Sequence, residues 1–124
     1  MATVLGIGGI FFKSKDPKAL MAWYAQWLGM TPHWETGTTF PADKMPGGGY
    51  AVFSPFPDST NSFEPSTQPF MFNLVVDDVK AMLGQIRPSG ANVIEKVEAS
   101  EYGTFGWFVD PDGNKVELWT PPAK

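Results

Sequence analysis

Residues 102–119 read Tyr102-Gly103-Thr104-Phe105-Gly106-Trp107-Phe108-Val109-Asp110-Pro111-Asp112-Gly113-Asn114-Lys115-Val116-Glu117-Leu118-Trp119, two strand-like runs around a turn. Gly103 to Val109 is rich in the aromatic and β-branched residues that suit a pleated, half-buried surface. Lys115 to Trp119 alternates polar and apolar side chains, so one of its faces meets a core. Between them, Asp110-Pro111-Asp112-Gly113-Asn114 supplies the residue types that turns require.

Working outward, Asn92 to Val97 alternates weakly and is expected as a further strand. Before it, Val79, Met82, Leu83 and Ile86 form the apolar stripe of a helix that Asp77 or Asp78 caps and that Pro88 and Gly90 stop. Phe70 to Val76 is another strand-like run. The second half therefore reads βαβββ.

The start of that helix has an echo. Asp78-Val79-Lys80-Ala81-Met82 repeats Asp16-Pro17-Lys18-Ala19-Leu20 at a separation of 62 residues, half of the 124-residue chain. Asp16 caps, Pro17 takes the first helical position, and Leu20, Trp23, Tyr24, Trp27 and Leu28 lie on one stripe that Gly29 terminates. Val4 to Phe12 precedes this helix as a nearly unbroken apolar and glycine run, expected as a strand covered on both faces. Thr31 to Glu35, Thr38 to Phe40 and Tyr50 to Ser54 are three more short strand-like pieces, giving βαβββ again. Residues 55–69 hold Pro55, Pro57, Pro65 and Pro69 among polar residues and form the crossover. The predicted organisation is one domain over 1–124, with modules at 1–54 and 70–124. Two such halves side by side enclose a cleft, the usual place for small-molecule chemistry.

Bulk composition narrows the function. A chain of this length buries a core without staples, and the absence of Cys excludes disulfides, thiolate zinc sites and a cysteine nucleophile. The apolar opening lacks a basic leader and a cleavage signal, so it is expected as a strand of a cytoplasmic protein. No run reaches the length of a membrane span, and a net charge of −4 with Arg87 as the single arginine argues against a nucleic-acid surface. The expected partner is a small molecule or another protein. Aromatic residues make up 15% of the chain, more than a small core requires, so some rings are expected at a pocket or an interface.

The 102–119 block resembles the C-terminal signature of the vicinal oxygen chelate superfamily, which includes glyoxalase I, bleomycin resistance proteins and extradiol dioxygenases. Lys15-Asp16-Pro17, Trp23-Tyr24 and Leu28-Gly29-Met30 resemble its first helix, and Val76-Asp77-Asp78-Val79 the start of its second module. The resemblance implies an α+β fold in which two tandem βαβββ modules form a curved mixed sheet around a cup, the glyoxalase/bleomycin resistance-like fold. It also implies a small-molecule or metal site in the cup, and frequent homodimers.

Metal-binding relatives place ligands on the first and last strands of each module. By register these positions fall at Gly9, at or beside Ser54, at Met71 and at Glu117, and only Glu117 keeps a ligand type. One carboxylate falls short of the roughly three His or carboxylate ligands of a catalytic metal site, so no metal and no cofactor are expected; a divalent metal would need atypical ligands. Glu117 lies on the face opposite Val116 and Leu118, hence toward the cup. Tyr50 and Ser54 share a face in the same way, as do Met71 and Asn73. Glu117 is the best catalytic candidate, and Glu117, Ser54, Met71, Asn73, Tyr50 and Trp107 are the candidate ligand-binding residues. If enclosed, the Glu117 carboxylate must find a donor, bind a cationic or hydroxylated ligand, or take up a proton.

Other features carry less chemistry. His33, the only histidine, is expected at a surface or rim; Gly47-Gly48-Gly49 lacks the helix and Lys-Ser/Thr pair of a phosphate cradle; Ser54 and Ser100 lack triad partners. Trp34, Phe53, Tyr102, Phe105 and Trp107 either stack on a planar ligand or fill the sheet. The leading reading is a metal-independent small-molecule binding protein of bleomycin-resistance type that dimerises. One alternative is a metal-dependent lyase or dioxygenase with atypical ligands, in which His33 or a partner subunit joins Glu117. Another is a structural or regulatory subunit with a collapsed cup.

Overall fold

The structure, a computed structural model, describes residues 1–47 and 49–122; Gly48 of the triple-glycine run lies outside them. Helix α1 spans Pro17–Leu28, and α2 spans Val79–Ile86. The repeat seen in the sequence is a pair of matching helix starts. Asp16 Oδ1 accepts from the Ala19 N–H at 3.1 Å, and Asp78 Oδ1 from the Ala81 N–H at 3.0 Å, each satisfying a donor that the first helical turn leaves orphaned. Asp78 is thus the cap. Gly29, at φ 70°, ends α1 in the left-handed conformation that glycine adopts without strain. Helix α2 runs into a short 3-10 turn, Arg87–Ser89, before Gly90 reverses the chain at φ 83°.

Four strands form one open mixed sheet: β1 (Phe72–Val75), β2 (Asn92–Ser100), β3 (Gly103–Val109) and β4 (Lys115–Thr120), in the order β1-β4-β3-β2. β1 runs parallel to β4, and the other two pairings are antiparallel. Both helices lie on one face. There Phe108, Val116 and Leu118 meet Val79, Leu83 and Ile86 from α2 and Leu20, Met21, Tyr24 and Leu28 from α1. Gly106 makes room for α2: a Cβ at that position would sit 2.7 Å from Val79 Cγ1 and 2.9 Å from Leu83 Cδ1. Trp23 reaches Phe108 with ring centroids 5.9 Å apart, which ties α1 to the same layer.

The β3–β4 turn is a second anchor. Buried Asp110 accepts from the N–H groups of Asp112 and Asn114 and from Asn114 Nδ2, all at 2.9 Å, and from the Tyr24 hydroxyl at 2.8 Å. Burial, and then the neighbouring Asp110 charge, push the Tyr24 hydroxyl well above its ordinary range. One carboxylate therefore closes the turn and fastens α1 to the sheet.

The α+β class of the glyoxalase/bleomycin resistance-like fold is observed, and in the second half every expected element is present. The first half differs. Val4 to Phe12, expected as a strand covered on both faces, pairs with no strand, and Leu5 and Phe11 are 95% and 96% exposed. Three glycines interrupt this run and weaken it as a strand, and its exposed backbone has no ladder partner among the described residues. Among the described residues, its one aromatic contact is Phe12 on Phe72, centroids 4.6 Å apart. The pieces at 31–35 and 38–40 reduce to a single bridge between Trp34 and Gly37, because Pro32 lacks a donor and the runs are short. Tyr50 to Ser54 is exposed and unpaired, and residues 55–69 carry turns alone, as their prolines predict. Among the described residues, no helix is long and apolar enough to cross a membrane.

Candidate functional site

The face opposite the helices is set by strand parity. Asn73, Glu117 and Trp107 stand in one cross-strand row, because Asn73 pairs with Glu117 and Glu117 with Trp107. The next row is Val75, Trp119 and Phe105. From β2, Ile94 extends the first row beside Trp107, and Glu98 extends the second beside Phe105.

Glu117 is held at both ends. Asn73 Nδ2 donates to its Oε1 at 2.7 Å, and Trp107 Nε1 donates to its Oε2 at 3.0 Å. These are neutral donors, so the carboxylate is oriented without being neutralised. The ion pairs among the described residues are Lys18–Glu35, Arg87–Glu95 and Lys96–Glu98, and Glu117 is in none of them.

Lys115, two residues earlier on the same face, is the nearby cation. Its Nζ lies 5.9 Å from the Trp107 ring centroid and donates to the Ser62 carbonyl at 2.7 Å. Burial lowers the pKa of this ammonium, and the Glu117 charge acts in the opposite direction. In the neighbouring row, Phe105 and Trp119 lie nearly parallel, at 11° and 6.1 Å, while Tyr50 meets Trp119 edge-on at 5.0 Å. Trp119 Nε1 donates to the Tyr102 carbonyl at 2.8 Å, which fixes the indole.

Of the residues singled out in the sequence, the fold brings Asn73, Trp107 and Glu117 together by hydrogen bonds and sets Tyr50 on the adjoining row. Met71 is half-buried just before β1 and takes no part in the hydrogen bonding of Glu117. Ser54 is exposed on the unpaired 50–54 segment, and Gly9 on the unpaired 4–12 segment. His33 is exposed, with Nδ1 accepting from the Thr39 N–H at 3.0 Å. Phe105 and Trp107 belong to the open face, while Trp34, Phe53 and Tyr102 are exposed. Sequence reasoning passed over Lys115 and Trp119, although both have the parity of Glu117. Among the described residues, no group of three or more His, Asp or Glu side chains gathers in metal-binding geometry. Two shallow surface depressions, of about 180 and about 250 Å³, are lined by other residues, the first around Lys13 and Asp112 and the second around Asp77 and Thr120.

A glyoxalase-like domain model matches residues 9–119. The chain belongs to that family. This places it in the vicinal oxygen chelate superfamily, as the 102–119 block implies. Two solved structures, VPC_CASS1 and TioX, agree in fold with this glyoxalase-like chain. VPC_CASS1, from the mobile metagenome of V. Pseudocholerae, is 15% identical over 98% of this chain and 100% of its own, with a TM-score of 0.52. TioX from Micromonospora sp. ML1 is 14% identical over 90% and 92%, with a TM-score of 0.50. TnmS3, an antibiotic binding protein from Streptomyces sp. CB03234, is 29% identical, but the match spans only 44% of this chain and 45% of that one, with a TM-score of 0.39. No curated protein matches the sequence.

Proposed function

We propose that this glyoxalase-like chain is a small-molecule binding protein that holds its ligand on the open face of the sheet at Glu117, without the metal of the family's catalytic members. The observation that carries the reading is the clamp of Asn73 and Trp107 on the two oxygens of Glu117. A carboxylate fixed this way beside Trp107 and Phe105 is a preorganised acceptor next to apolar rings, the mixture that ligand sites use for orientation and contact area.

The donor chemistry argues against a metal of the usual kind. A catalytic divalent ion takes about three protein ligands, and here Glu117 faces an amide N–H and an indole N–H, neither of which ligates a cation. Gly9 has no side-chain donor, Met71 offers a soft thioether, and Ser54 lies out on the 50–54 segment. The test is equilibration of the purified protein with Ni(II), Zn(II), Mn(II) or Fe(II), followed by measurement of retained metal. Substoichiometric retention is expected; stoichiometric retention that disappears in Glu117→Ala overturns the metal-free reading. Unchanged ligand affinity in Glu117→Gln overturns the role of Glu117.

The same reading includes a homodimer. Its support is the exposed apolar surface of Val4, Leu5, Ile10 and Phe11 on a segment with unpaired backbone groups, a surface that a second copy would cover. Sedimentation equilibrium showing a monomer at micromolar concentration overturns it.

A further inference from the structure

We infer that the ligand is a planar aromatic cation, its positive group set against the Glu117 carboxylate and its ring against Trp107 and Phe105. The inference rests on the preceding reading and narrows it to a ligand class. Four observations lead to it.

First, Glu117 is oriented without a direct ion pair. Its oxygens take their hydrogen bonds from an amide and an indole, and no cation pairs with it among the described residues. A ligand that displaces water from this half-buried carboxylate strips solvation from a formal negative charge, and a positive group on the ligand restores it.

Second, the other carboxylate on this face is already in an ion pair. Glu98, at the far end of the adjoining row, pairs with Lys96 at 2.8 Å, whereas the Lys115 ammonium gives its hydrogen bond to the neutral Ser62 carbonyl and senses Glu117 without pairing with it. Among the described residues, Glu117 is thus a carboxylate on this face without a direct ionic partner.

Third, the ring beside Glu117 already serves as a cation surface within the chain, since Lys115 Nζ stands over Trp107. Donation of the indole N–H to a carboxylate moves electron density onto the ring and favours a cation on its face.

Fourth, the rings are held in place. Trp107 is fixed by Glu117, and the Phe105–Trp119 pair is fixed by Tyr50 and by the Tyr102 carbonyl. Rings immobilised before binding lose little entropy on contact with a flat ligand, which favours planar over flexible cations.

The test uses three quinoline probes substituted at the same position, at pH 7.5: 4-aminoquinoline as planar cation, 4-methylquinoline as its size-matched neutral analogue and quinoline-4-carboxylate as anion. Tryptophan fluorescence titration of the full chain gives the affinities. We expect the aminoquinoline to bind about tenfold more tightly than the methylquinoline, and the carboxylate to bind weakest. In Glu117→Gln the advantage of the aminoquinoline over the methylquinoline is expected to vanish. Salt provides a readout that needs no variant: aminoquinoline affinity falls with ionic strength and methylquinoline affinity does not. Equal affinity of the two, unaffected by salt, overturns the cation inference and leaves a planar-ligand site standing. Tightest binding of the carboxylate overturns it as well. Binding of none of the three overturns both the inference and the small-molecule reading beneath it.

Discussion

Asn73 and Glu117 face each other across the parallel β1–β4 pair, and the amide donates to the carboxylate over 2.7 Å. Asn73→Asp replaces the donor with a like charge directly opposite, an arrangement that destabilises a sheet. The expected loss is about 1–2 kcal/mol of stability, read from the urea midpoint. Combining it with Glu117→Gln reverses the direction of donation and is expected to restore most of the loss. A double variant no better than Asn73→Asp alone shows that the two side chains are uncoupled.

Tyr24 carries a pH dependence. Its pKa is raised in the folded chain, first by burial and then by Asp110, above the ordinary 10.0. A raised pKa means that the stabilisation is complete below that ordinary value and is lost as pH climbs above it, where the unfolded chain ionises first. The urea midpoint is therefore expected to fall as pH rises above 10. Tyr24→Phe flattens that alkaline slope and costs about 1–2 kcal/mol at neutral pH through the lost bond to Asp110. An unchanged slope in the variant sinks the assignment.

The two matching helix caps are expected to contribute alike. Asp16→Ala and Asp78→Ala each remove one side-chain acceptor from a first-turn N–H, with a loss of about 1 kcal/mol apiece in thermal unfolding followed by circular dichroism. A negligible effect at one of the two would show that its capping bond carries no stability.

Gly106 sets how closely α2 sits on β3. Gly106→Ala drives a methyl into Val79 and Leu83, with an expected cost of about 1–3 kcal/mol in urea unfolding. Leu83→Ala in the same chain opens the space and is expected to cancel part of the clash. A purely additive double variant refutes the contact.

The second half was legible in the sequence because its signals are local. Gly103 to Val109 has the bounds of β3, the Asp110-to-Asn114 cluster makes the turn, and parity turned Glu117 away from Val116 and Leu118. What the sequence withheld were relations between distant residues. Asp110 reads as a turn residue, and nothing in its surroundings announces Tyr24, 86 positions away, as a fourth donor. Glu117 reads as a cup-facing carboxylate, while its donors come from two other strands. The 4–12 run fails as a strand for the same reason. Apolar composition records what a segment tolerates, but a strand also requires a neighbour for its backbone, and no described segment supplies one.

Lys115 offers the sharpest test of how charge is arranged on the open face. Its ammonium shares that face with Glu117 and lies over Trp107, so it repels any cation brought to the same ring. Lys115→Gln keeps a donor for the Ser62 carbonyl and removes the charge. The variant is expected to bind 4-aminoquinoline about threefold more tightly than the parent chain at low salt, the size of one partly exposed charge interaction. The gain fades at 0.5 M salt, where a Debye length of roughly 4 Å screens the pair. Methylquinoline affinity is expected to stay constant, since a neutral ligand does not sense the lysine. Weaker aminoquinoline binding in the variant means that Lys115 attracts the ligand, which reverses the sign of the charge this face selects.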